Sequence, residues 1–71
     1  MNDEYPESEE DLHAQLAELR QDHADLDAAA YALAQMPTPD LMLIGRLKRK
    51  KLSLKDQITR IEDMLTPDII A

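Results

Sequence analysis

The sequence predicts an all-α protein, a two-helix antiparallel hairpin of coiled-coil type that assembles into a helical bundle. Three observations carry that reading. Apolar residues recur at alternating steps of three and four through two long stretches. Pro37 and Pro39 separate those stretches. Gly45 is the only glycine, and nowhere do apolar and polar residues alternate as a half-buried strand requires. At 71 residues the chain holds one small domain with a modest core. Without cysteine it can have neither a disulfide framework nor a thiolate metal site.

The elements follow in order. Residues 1–7 form an acidic N-terminal tail, its Met1-Asn2-Asp3-Glu4 start lacking the basic character of a signal peptide. The first helix is expected over 8–36. Ser8 supplies an N-cap hydroxyl, and Glu9, Glu10 and Asp11 suit the positive end of the helix. Pro37 then forbids the next turn. After a turn at 37–38, Thr38-Pro39-Asp40 reads as an N-cap, a proline at the first helical position and an acid behind it, opening a second helix over 39–65. Gly45 within it costs about 1 kcal/mol relative to alanine. Residues 66–71 form a C-terminal tail. Near-equal helices around a short break favour antiparallel packing.

One register satisfies the whole pattern. Folding at the prolines pairs Leu33 with Ile44, Ala30 with Leu47, Leu26 with Lys51, His23 with Leu54, Leu19 with Ile58, Leu16 with Ile61 and Leu12 with Leu65. Each layer sets an a position against a d position, as an antiparallel pair of helices requires. Beside this seam the same register brings Asp27 near Lys48, His13 near Glu62, and Arg20 opposite Lys55. Such exposed pairs contribute about 0.2–1 kcal/mol and steer pairing more than they stabilise it.

The net charge of −7 is unevenly distributed. Residues 1–36 hold ten acids against Arg20 alone, a balance of −9, whereas residues 37–71 carry +2. The division fits an acidic helix lying against a basic one, or a basic segment facing a polyanion.

Two seam positions are polar. His23 and Lys51 occupy adjacent layers, and Asp27, one turn after His23, should sit beside Lys51. An Asp–His pair could orient a general base, but no nucleophile or water-excluding cleft accompanies it, since Ser53 points away from the seam. The polar layer is therefore read as setting register and partner number. No catalytic or cofactor-binding residue is assigned. No metal site is assigned either, because His13 and His23 lie on different sides of the helix.

Arg46, Lys48, Arg49 and Lys50, with Lys55 beyond, suggest polyanion contacts. These bases wind around the helix, and no aromatic residue lies within reach to stack on a base. Leu41, Met42, Leu43 and Leu52 lie on the second helix outside the seam, and Ile69 and Ile70 lie in the tail. A lone hairpin struggles to offset roughly 1.5 kcal/mol of ordering entropy per residue. These apolar residues are accordingly the candidate contact surface for a second copy, most simply in a dimer, or for another protein.

His23-x-x-Leu26-Asp27, Pro39-Asp40 and Leu47-Lys48-x-x-Lys51-Leu52-x-Leu54-Lys55-Asp56-x-Ile58 resemble the YdcH-type small bacterial proteins, a domain of unknown function. The likeness covers roughly Leu12 to Leu65. It implies a short α-helical hairpin in the bacterial cytoplasm and brings neither an enzymatic activity nor a partner. The reading is thus a non-enzymatic, cytoplasmic interaction or oligomerisation module with no membrane span and no cofactor. The alternative is a nucleic-acid-associated accessory protein using 46–55.

Overall fold

A computed structural model describes residues 8–66 as two helices, α1 (Glu9–Ala34) and α2 (Leu41–Leu65), packed antiparallel against each other. At 1.5 Å per residue each is about 38 Å long. The tails at 1–7 and 67–71, with Ile69 and Ile70, lie outside the described residues.

Capping sets both starts. The Ser8 side chain accepts a hydrogen bond from the Asp11 N–H at 3.1 Å, and three acids fill the first turn. The second start differs from the expectation. The N-cap is Asp40, whose Oδ1 accepts from the Leu43 N–H at 3.0 Å, and not Thr38. The reason is local. Met36 and Thr38 each precede a proline, which disfavours helical backbone at both, and the Asp40 carboxylate then reaches the free N–H groups. α1 also ends earlier than the expected 36, capped at Gln35, whose N–H donates to the Ala32 carbonyl while the Met36 N–H donates to that of Leu33. The connection therefore spans Gln35 to Asp40 rather than two residues.

The predicted seam is the buried seam. Leu12, Leu16, Ala30, Ile44 and Ile61 are buried, and the other nine seam residues are half-buried. The core has two parts. At the open end Leu12, Leu16 and Ile61 pack together, flanked by Leu19, Ile58 and Leu65. Near the turn Ala30 and Ile44 are buried. Between them lie the half-buried layers that contain His23 and Lys51. Among the described residues no helix is long and apolar enough to cross a membrane.

Candidate functional site

The polar layer assembles as its spacing implies. Lys51 Nζ donates to Asp27 Oδ1 at 2.6 Å across the two helices. The hydrogen bond and positive charge of Lys51 hold the Asp27 carboxyl below its ordinary value, with a smaller contribution from His23. His23 shares a small depression with Lys48, Lys51, Leu52 and Lys55. Among the described residues no group of His and acids could hold a metal. His23, Asp27 and Lys51 thus meet as one cluster, open to solvent on the Asp27 side.

The flanking ion pairs depart from the register's face-to-face partners. Glu62 receives Arg20 at 2.8 Å rather than His13, and Asp56 binds Arg60 on its own helix at 2.9 Å. Side chains on a helix lean toward its N-terminus. In an antiparallel pair that lean carries Arg20 and Glu62 toward each other, so the pairing is diagonal. Asp27 likewise reaches Lys51 and not the Lys48 that stands opposite it.

The charge asymmetry is hardly used inside the hairpin. Of the two inter-helix ion pairs among the described residues, only Asp27–Lys51 joins an acid of α1 to a base of α2. Arg20–Glu62 runs in the opposite sense. Arg46, Lys48, Arg49, Lys50 and Lys55 are exposed and have no carboxylate at ion-pair distance among the described residues.

The side of the hairpin that carries the two inter-helix ion pairs also presents exposed apolar residues. α1 presents Ala17, Ala24, Tyr31 and Ala34 there, and α2 presents Leu41, Gly45 and Leu52. Tyr31 and Leu52 are each 70% exposed, Leu41 75%, and Met42, next to it, 76%. Leu43 differs from these three candidates in being half-buried. Ala24, Asp27, Tyr31 and Ala34 of α1 line a shallow groove of about 520 Å³ with Lys48 and Lys51 of α2. This groove corrects one expectation. Tyr31 is far from the basic run in sequence, but the turn lays α1 alongside α2 and brings the ring into the groove that Lys48 lines.

With this geometry in view, comparison with known families decides the membership. The family model described as "Protein of unknown function (DUF465)" matches residues 16–62. The chain belongs to the DUF465 family. That agrees with the YdcH-type resemblance of the His23 and Lys51–Asp56 motifs. Neither a curated protein nor a solved structure gives a match. In this DUF465 chain the matched span runs from Leu16 to Glu62, taking in every seam layer but Leu12–Leu65, the polar cluster, and Tyr31 and Leu52.

Proposed function

We propose that this DUF465 chain is a non-enzymatic helical hairpin that self-associates and works through protein–protein contact. The observation that carries the reading is the contrast between its core and its surface. Five hydrophobic residues are buried, whereas Tyr31, Leu41, Met42 and Leu52 are at least 70% exposed. Fully burying a leucine is worth about 1.5–3 kcal/mol, so covering three or four such side chains rivals the hairpin's own core. A dimer would extend the two helices to a four-helix bundle and enclose the polar cluster. Among the described residues no general acid or base pairs with a nucleophile in a cleft, which favours an interaction role over catalysis.

Sedimentation at micromolar concentration tests this. The expected species is a dimer, and a folded monomer would sink the proposal. A second reading has one observation of its own, a groove lined by both Tyr31 and Lys48, which suits stacking and phosphate contact with a single-stranded nucleic acid, although Asp27 lines it too. The seven acids of α1 and the net charge of −7 oppose it. A salt series separates the two readings, because phosphate contacts weaken steeply with salt.

A further inference from the structure

We infer that a second copy covers the Tyr31–Leu52 face with α1 of each copy lying on α2 of the other and both turns at the same end. The inference rests on the self-association reading and adds the arrangement. Two copies meeting through one face are related by a twofold axis, which has two choices here. An axis across the helices stacks α1 on α1 and α2 on α2, with the turns at opposite ends. An axis along the helices stacks α1 on α2 of the other copy, with the turns together.

Charge chooses the second arrangement. α1 holds seven acids against Arg20, a balance of −6, and α2 holds seven bases against Asp56, Glu62 and Asp63, a balance of +4. Among the described residues most of those charges form no ion pair within the hairpin, which leaves them to act on a neighbour. Helix axes in a bundle lie 8–10 Å apart, about one Debye length, so the sign of the neighbouring helix matters. On the face itself, Lys48 and Lys55 flank Leu52. Stacking α2 on α2 would set those lysines against their own copies, whereas stacking on α1 offers them alanines, Tyr31 and the acid Asp27. Electrostatics of this kind sets orientation more than affinity.

The apolar residues choose it independently. On this face Tyr31 and Leu41 lie near the turn, and Leu52 lies midway along α2. Placing both turns at one end brings the two sets together. The opposite arrangement would set each against the acidic start of α1 at Glu9, Glu10 and Asp11. The lean that joins Arg20 to Glu62 also applies across the interface. Tyr31 and Leu52 have nearly the same spacing in the antiparallel register, so Tyr31 of one copy points toward Leu52 of the other.

The chain has no cysteine, so a single introduced thiol gives one label per copy. Met42→Cys and, separately, Asp63→Cys place a spin label near opposite ends of α2, both at exposed positions. Pulsed dipolar spectroscopy on the sedimentation-verified dimer should return roughly 15–30 Å for each variant. A distance beyond about 35 Å for both, nearly the length of α2, would overturn the arrangement while leaving the dimer intact. A monomer in the sedimentation run would instead sink the self-association reading. Monomer that carries nuclease-sensitive nucleic acid would assign the face to a polyanion and overturn both.

Discussion

Asp27 shows how one side chain couples the two helices to pH. Its contact with Lys51 lowers its pKa in the folded state relative to the unfolded chain. The stability it contributes is therefore complete above the ordinary carboxylate range and is lost as pH falls through the depressed folded value. Asp27→Asn should flatten that part of the stability–pH curve and leave the region above pH 6 parallel to the wild type, read by thermal melts. His23 is half-buried in the seam, where a leucine would bury more apolar surface. His23→Leu should stabilise by about 1 kcal/mol, several degrees in Tm, while broadening the distribution of oligomers. An unchanged distribution would remove the register argument. Gly45 is also informative, since an added Cβ meets only Arg49 Nη1 at 3.8 Å, an ordinary contact. Gly45→Ala should raise the unfolding free energy by about 0.5–1 kcal/mol, read from denaturant melts at submicromolar concentration.

Among the elements, the helix faces were legible because one period of three and four runs through each helix without interruption. All fourteen seam positions derived from it are buried or half-buried. The helix ends were less legible. Thr38 and Asp40 are both good caps, and the choice depends on backbone angles imposed by two prolines, which composition does not display. Asp40→Ala should cost about 1 kcal/mol, against much less for Thr38→Ala, and helicity by circular dichroism with denaturant melts would rank them. Leu16 belongs to the open-end core and is 5% exposed. Its truncation to alanine costs about 2–5 kcal/mol, enough to unfold a chain with so small a core.

For the whole molecule, a self-associating hairpin should melt at a temperature that rises with protein concentration. Leu52→Asp, which places a carboxylate on the exposed apolar face, should abolish that dependence while leaving the dilute melting point nearly unchanged. The fold class, the seam, the polar cluster of His23, Asp27 and Lys51, and the imbalance of charge are all properties of spacing. A helix of fixed pitch converts spacing into faces, so the sequence by itself determined them. Which charges meet is decided by the direction in which side chains lean, and that has meaning only once two helices run antiparallel at a set distance. The tertiary structure alone therefore decided that Arg20 binds Glu62 and that Tyr31 and Lys48 line one groove. It also decided that most of the acidic and basic charge remains on the outside, free to act on a neighbour, because pairing depends on distances across the turn that no local pattern encodes.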